Sequence, residues 1–166
     1  YYQKGLYEKA IEEYDKAIHL NKENPYFFNS RGNAFFYLNQ FEKAEKDYLK
    51  AIAIDKNYSS AYYNLANTYD KMNQKEKILN LYNESINLNP KDGWFYHNRG
   101  RYFFNEKKYQ EALADFEKAV ELNPKDDKSI FSKALVCFVL EKYTEASKGF
   151  EILFYKEDLK NLYENE

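Results

Sequence analysis

The chain has 166 residues, enough for one domain with a substantial core, and its 25 basic and 27 acidic residues leave a net charge of −2. This balance argues against a nucleic acid partner, because a polyphosphate favours a basic excess. A single cysteine excludes an internal disulfide, and no run of about 18 apolar residues is present to span a membrane.

The chain begins with an incomplete helix pair. A helix is predicted over residues 7–20 as the second helix of a leading unit, whose first helix survives only as Tyr1 to Lys4. Asn24 followed by Pro25 is typical of a helix N-cap and first helical residue, so the next helix is predicted over 26–38. A polar break at Asn39 and Gln40 separates it from a helix over 41–54.

Apolar residues on both of these helices lie three and four positions apart, which defines one buried face on each. The pair is therefore predicted to form an antiparallel hairpin with a tight turn. Similar pairs follow along the chain, and Pro90 and Pro124 end two of the second helices. The further helices are predicted at 59–72, 75–88, 93–106, 109–122, 127–140 and 143–157.

The hairpins repeat every 34 residues, and the columns of equivalent positions agree. One column holds Ala10, Ala44, Ile78, Ala112 and Ala146, and another holds Tyr14, Tyr48, Tyr82, Phe116 and Phe150. A third, on the first helices, holds Gly32, Ala66, Gly100 and Ala134. Small residues are expected where two helices approach closely, and the aromatic column fills the space between units. A fixed period of this kind indicates a solenoid of stacked units.

These columns resemble the tetratricopeptide repeat family. The resemblance implies an all-α fold, a right-handed α-α superhelix of antiparallel helix hairpins, in a single domain over residues 1–166. Its parts are a partial first repeat (1–24), four full repeats (25–58, 59–92, 93–126 and 127–160) and a tail (161–166). It also implies a protein–protein interaction scaffold that holds a peptide or a helix of a partner in its concave groove.

Two columns depart from the family pattern in a correlated way. The position before the Gly/Ala column holds Arg31, Leu65, Arg99 and Lys133, and a second-helix column holds Asp47, Leu81, Asp115 and Gly149. In an antiparallel hairpin these positions lie opposite each other. We therefore predict ion pairs Arg31–Asp47 and Arg99–Asp115, with an apolar Leu65–Leu81 contact in the repeat between them.

The groove residues are predicted on the first helices, at positions that point away from the packing face. Asparagine suits a peptide backbone because it both donates and accepts, and aromatic side chains supply contact area. Asn33 with Asn67, and Asn64 with Asn98, occupy matching positions that resemble an asparagine ladder of the family. The predicted peptide-binding residues are Tyr26, Asn29, Asn33, Tyr37, Tyr63, Asn64, Asn67, Trp94, His97, Asn98, Arg101, Lys128 and Phe131.

Some family members bind a C-terminal carboxylate through Lys, Asn and Arg residues. Asn67, Asn98 and Lys128 match that set, but Tyr63 and Ser132 stand where it needs a basic residue, so the clamp is incomplete. The last repeat is instead apolar at Phe131, Leu135, Phe138 and Val139. A missing C-terminal helix is the preferred cover for it; a homo-oligomer contact or an apolar partner segment are the alternatives.

No catalytic, cofactor-binding or metal-binding residue is predicted. The five glycines are scattered, and the two histidines lie in different repeats. Cys137 falls in an aromatic packing column and is predicted to be a buried core thiol. The chain is therefore expected to be a cytoplasmic scaffold with a protein or peptide partner, not an enzyme, although a start at Tyr1 leaves an upstream segment open. The alternatives are an RNA-binding helical-repeat protein and a regulatory or docking module of a larger enzyme.

Overall fold

The computed structural model describes the backbone of residues 2–163 and the side chains of residues 5–155. The described part is helical throughout apart from short connections. The helices are α1 (Tyr2–Leu20), α2 (Pro25–Tyr37), α3 (Phe41–Ile54), α4 (Ser59–Lys71), α5 (Lys75–Leu88), α6 (Gly93–Asn105), α7 (Tyr109–Leu122), α8 (Asp127–Val139) and α9 (Tyr143–Tyr163).

The predicted bounds of α2 to α8 are confirmed to within one residue. The two end helices are longer than predicted. Helix α1 already begins at Tyr2, so the predicted remnant of a separate first helix is part of α1; Tyr1 itself lies outside the described residues. Helix α9 continues to Tyr163, which takes in the first half of the predicted tail, and residues 164–166 lie outside the described residues.

Side-chain caps explain where several first helices begin. The Asn24 carboxamide accepts a hydrogen bond from the backbone N–H of Tyr26 at 3.0 Å, and the Asp92 carboxylate accepts one from Trp94 at 2.9 Å. Each satisfies a backbone donor that the first turn leaves without an intrahelical partner. These interactions confirm the predicted starts of α2 and α6.

The four hairpin turns share one backbone conformation. Each contains a residue with positive φ, near 57° at Asn39, 56° at Asn73 and 60° at both Lys107 and Glu141. The next residue donates its N–H back to a carbonyl in the last turn, as from Gln40 to Phe35 at 2.9 Å. This arrangement ends each first helix and sets the direction of the second.

The chain forms two compact units, residues 1–83 and 84–166, with the boundary inside α5. In the first unit α1 packs on α2, α2 on α3 and α3 on α4, and α2 also touches α4. In the second unit α6 packs on α7, α7 on α8 and α8 on α9, and α6 also touches α8. Each unit thus stacks helices in chain order, with contacts between successive first helices.

The small residues lie where helices approach most closely, as predicted. A methyl group at Gly32 would lie 2.8 Å from Tyr48 Cε1, and one at Gly100 would lie 2.8 Å from Phe116 Cε1. In the last repeat the close approach is between Ala134 on the first helix and Gly149 on the second. A Cβ added at Gly149 would lie 2.7 Å from Ala134 Cβ.

Both predicted ion pairs are confirmed as bidentate interactions. Arg31 Nε and Nη2 donate to the two carboxylate oxygens of Asp47 at 2.7 and 2.6 Å. Arg99 makes the same contacts with Asp115 at 2.8 and 2.7 Å. Arg31 Nη1 also donates to Asp15 of α1 at 2.6 Å, which the sequence did not predict. Leu65 is fully buried, and its contact with Leu81 stays a prediction.

Candidate interaction surface

The first unit exposes aromatic side chains along its first helices. Of the binding residues predicted there, Tyr26 is 54% exposed, Tyr37 62% and Tyr63 38%, and Asn67 is also exposed. Tyrosines left in water at this level offer contact area to a partner at low entropic cost. Helices α2 and α4 thus expose four of the predicted binding residues, three tyrosines and one asparagine, and none of these four is charged.

The other three predicted residues of this unit form an amide cluster that connects the helices. Asn64 Nδ2 donates to Asn29 Oδ1 and to Asn33 Oδ1, each at 3.0 Å. The Tyr48 hydroxyl from α3 donates to Asn33 Oδ1 at 2.8 Å, and burial raises the pKa of Tyr48, so this donor keeps its proton. The cluster holds α2, α3 and α4 together and fixes the orientation of the amides.

This cluster changes the interpretation of the asparagine positions. Asn29 is buried, at 6% exposure, and so does not point away from the packing face as the pattern predicted, while its part in peptide binding stays a prediction. Helix α4 packs across α2 and covers it. Asn33 and Asn64 are half-buried, and Asn67 is the asparagine of the set that stands in water.

A stacked tyrosine pair at this surface was missed in the sequence. Tyr7 of α1 and Tyr37 of α2 lie with ring centroids 5.0 Å apart and planes 15° from parallel. A signal for it was present, because Tyr7 stands at the same repeat position as Phe41, Tyr109 and Tyr143. The stacking orients Tyr37 while leaving it exposed.

In the second unit the predicted residues divide into exposed and buried sets. Phe131 is 49% exposed, Arg101 and Lys128 are exposed, and Trp94 is half-buried. His97 and Asn98 are buried, at 9% and 5% exposure, and so do not point away from the packing face as the pattern predicted, while their part in peptide binding stays a prediction. Asn98 Nδ2 donates to the Trp94 carbonyl at 2.8 Å within α6, and α8 packs against α6 beside His97.

His97 belongs to a buried hydrogen-bonded chain between α6 and α8. Ser129 Oγ lies 3.0 Å from His97 Nδ1 and donates to Asp126 Oδ2, which also accepts the Ser129 backbone N–H at 3.1 Å. Because the hydroxyl proton is directed at the carboxylate, we assign the neutral tautomer in which His97 Nδ1 donates to Ser129.

The charge states in this chain follow from burial and hydrogen bonding. Burial lowers the pKa of His97; Asp126 opposes this shift, and Arg101 and Lys128 add to it. Burial alone would raise the pKa of Asp126, but the hydrogen bonds from Ser129, the neighbouring His97 and the backbone N–H of Lys128 together leave that pKa below its usual value. At neutral pH, Ser129 therefore bridges an ionised Asp126 and a neutral His97.

The described residues carry no grouping of three or more His, Cys, Asp or Glu side chains that could hold a metal ion. Cys137 is buried with 1% exposure, as predicted for a core thiol. Within the same part of the chain, none of the helices has both the length and the apolar character needed to cross a bilayer.

Family comparisons agree with the repeat period. Residues 1–38 and 32–73 match the family described as TPR repeat, and residues 59–92 and 94–126 match the family described as Tetratricopeptide repeat. No curated protein sequence matches the chain in pairwise comparison.

Solved structures match nearly the whole chain. A crystal structure of MamA aligns with a TM-score of 0.72 at 22% identity, over 96% of this chain and 94% of that one. MamA from Desulfovibrio magneticus RS-1 aligns at 0.69 and 18% identity, over 92% and 86%. YrrB, described as a TPR protein with an unusual peptide-binding site, aligns with a TM-score of 0.59 at 21% identity, over 89% of this chain and 76% of that one. The fold is an all-α helical-repeat solenoid.

Proposed function

The chain belongs to the tetratricopeptide repeat family, and we propose that it is a protein-interaction scaffold that binds a peptide or a helix of a partner on its first helices. The observation that carries the proposal is the row of exposed tyrosines on α2 and α4, Tyr26, Tyr37 and Tyr63, beside an ordered amide cluster. Large exposed aromatic residues of this kind mark interaction sites on soluble proteins.

The chemistry of this surface suits an uncharged segment. Tyrosine rings supply apolar area and a hydroxyl at the edge, and the Asn67 carboxamide offers a donor and an acceptor to a peptide backbone. Tyr37 is held by its stacking on Tyr7, so less side-chain freedom is lost when a partner binds.

The second unit offers a surface of different character. Arg101 on α6 and Lys128 on α8 are exposed cations, and Phe131, three residues after Lys128 on α8, is a half-exposed ring. This combination favours a segment that carries an acidic residue next to an apolar one. Such pairing at an exposed surface affects the rate and the specificity of binding more than the affinity.

The test is selection of a displayed peptide library on the whole chain, followed by measurement of the Kd of the selected peptides for variants. Tyr63→Ala combined with Asn67→Ala should weaken binding about tenfold or more, because both side chains are exposed and would form direct contacts. The matched control is Leu49→Ala, which removes a 45% exposed apolar side chain from the second helix α3. Equal affinities for the double variant and the control would refute the proposed surface.

The same peptides distinguish this function from RNA binding. A peptide held by tyrosines and amides should keep its Kd within about twofold between low and physiological salt, whereas phosphate contacts produce a steep salt dependence. A preference of the chain for RNA with a steep salt slope, and no selected peptide, would overturn the scaffold proposal.

A further inference from the structure

His97 is a titratable residue buried next to exposed cations of the second unit. It is 9% exposed, and Arg101 follows it by one turn on α6. Across the junction with α8, Ser129 Oγ lies 3.0 Å from His97 Nδ1, and the residue before Ser129 is Lys128. Arg101 and Lys128 are both exposed. Each of the two joined helices therefore places a cation in water close to a buried group that can take up a proton.

The groups around His97 act on its protonation in opposite directions. Burial is the main cause that lowers the pKa of His97, and the Arg101 and Lys128 charges lower it further, whereas the Asp126 charge opposes these effects. Helix α7 contributes an uncharged neighbour, the Phe116 ring, whose centroid lies 5.6 Å from that of the imidazole. Repulsion by the two exposed cations is therefore the part of this balance that a molecule arriving from solvent can change.

The hydrogen bonds of His97 suit a charged ring as well as a neutral one. In the tautomer assigned above, Nδ1 donates to Ser129 Oγ, and Ser129 donates in turn to Asp126. An imidazolium carries a proton on both ring nitrogens, so a proton added at Nε2 changes neither of these bonds. Protonation of His97 thus costs solvation and charge repulsion, but no hydrogen bond of the chain.

An anion bound at the exposed cations reduces that repulsion. A carboxylate beside Arg101 or Lys128 offsets part of their positive potential, and a negative charge favours the protonated form of a nearby histidine. Linkage then requires the converse, because a ligand that favours protonation is itself bound more tightly by the protonated chain.

Charge complementarity decides which kind of segment fits these positions. The first helices α6 and α8 together contain two arginines and two lysines but a single acidic residue, Asp127. Phe131 follows Lys128 by one turn of α8 and is 49% exposed. An excess of cations with a half-exposed ring favours a segment in which carboxylates alternate with apolar side chains.

We propose that an acidic segment of the partner protein binds at Arg101, Lys128 and Phe131, and that its binding is accompanied by uptake of a solvent proton at His97. The proposal rests on the function proposed above, because this is the surface of the second unit described there. It adds the regulation of that site: mild acidification strengthens binding of the acidic segment.

The probe is an acetylated and amidated peptide, Gly-Glu-Leu-Ser-Glu-Leu-Gly, whose charge comes from its two glutamates. The chain has two histidines, and His19, exposed in the first unit, provides an internal reference in proton NMR of the imidazole rings. Saturating peptide should raise the pKa of His97, while the His19 signals should titrate identically with and without it. The same peptide with glutamine in place of glutamate should leave the His97 titration unchanged.

The affinity of the peptide tests the converse. With a rhodamine label followed by anisotropy, the Kd should fall about threefold from pH 7.5 to pH 5.5, as for an exposed charge interaction, since glutamate stays ionised over this range. The variant His97→Gln should give the same Kd at both pH values. All measurements are made well below the melting temperature at either pH.

Two lysine variants test the position of the site. Lys128→Gln should raise the Kd for the glutamate peptide about threefold at pH 7.5. The matched control is Lys108→Gln, which removes an exposed lysine at the start of α7 and should leave the Kd unchanged.

The proposal is overturned if the glutamate peptide shows no saturable binding, if its Kd is constant or rises on acidification of the native chain, or if the two lysine variants have equal effects. These failures differ from a failure of the proposed function. Neutral peptides selected on the whole chain and weakened by Tyr63→Ala with Asn67→Ala would leave the scaffold function supported in each of these cases.

Discussion

Arg31 and Arg99 each place a guanidinium against a nearly buried carboxylate in the middle of a helix hairpin. The side chains of Arg99 and Asp115 are 21% and 7% exposed, and the bidentate geometry satisfies both carboxylate oxygens. The intervening repeat has leucines at the equivalent positions, Leu65 and Leu81. The same hairpin geometry therefore accommodates either an ion pair or an apolar pair.

We expect Asp115→Ala to lower the free energy of unfolding by about 3 kcal/mol, because it removes the carboxylate that binds the Arg99 guanidinium at two points in a mostly buried site. The double variant Arg99→Leu with Asp115→Leu copies the neighbouring repeat and should return to within about 1 kcal/mol of the native chain. Urea denaturation of the three proteins measures both values. A double variant as unstable as the single one would show that the ion pair is specifically required.

Protonation of His97 makes the stability of the second unit depend on pH. Its pKa is lowered by burial, so the unfolded chain takes up a proton at this position at a higher pH than the folded chain. The contribution of neutral His97 to the free energy of unfolding is therefore fully present above about pH 6.5, and it decreases as the pH falls below that value. Asp126, whose pKa is lowered, contributes stability that is lost only in more acidic solution.

The melting temperature should accordingly fall between pH 7.5 and pH 5.5. In the variant His97→Gln this part of the pH dependence should be absent, because glutamine does not titrate, although the variant is less stable overall. Thermal denaturation at matched ionic strength provides the comparison. Parallel melting curves against pH for the two proteins would contradict the assignment to His97.

At the scale of elements, the hairpin turns are uniform in conformation but not in residue type. All four need positive φ, which asparagine tolerates better than most residues because its short polar side chain bonds locally. Asn39 and Asn73 meet this requirement, whereas Lys107 and Glu141 adopt the left-handed conformation at a steric cost.

Lys107→Gly and Glu141→Gly should each raise the free energy of unfolding by about 1 kcal/mol, since glycine removes the Cβ clash in this conformation. Both residues are exposed, so little else is lost. Asn39→Gly is the matched control and should change stability by less than about 0.5 kcal/mol. Urea denaturation measures the effect, and destabilisation by both glycines would show that the turns are not strained.

At the scale of the whole molecule, each unit is built from contacts between helices that follow one another in the chain or are successive first helices. Proteins of this kind behave as one-dimensional arrays, in which each repeat depends on its own stability and on its neighbours. A destabilising substitution is then expected to affect mainly its own repeat and the repeats next to it.

Hydrogen exchange should show this directly. Asp47→Ala should speed amide exchange in α2 and α3 while leaving α8 nearly unchanged, because Asp47 bonds Arg31 within its own hairpin. Asp115→Ala should do the reverse, in α6 and α7. Uniform acceleration along the chain in both variants would indicate a single cooperative unit instead.

The sequence by itself determined the repeat, the bounds of α2 to α8 and the Arg–Asp ion pairs inside two hairpins. These features depend on local periodicity and on positions that an antiparallel pair brings opposite each other, as with Arg31 and Asp47 or Arg99 and Asp115. A period of 34 residues repeats such positions unchanged, so they can be identified without knowing how the hairpins stack.

Only the tertiary structure decided which first-helix residues remain in water. Asn29, His97 and Asn98 have the helix positions of groove residues but are buried. The contact between Arg31 and Asp15 likewise depends on how α1 packs on α2. The physical reason is that helical periodicity defines the direction of a side chain around its own axis, whereas its exposure depends on the neighbouring repeat packed against it.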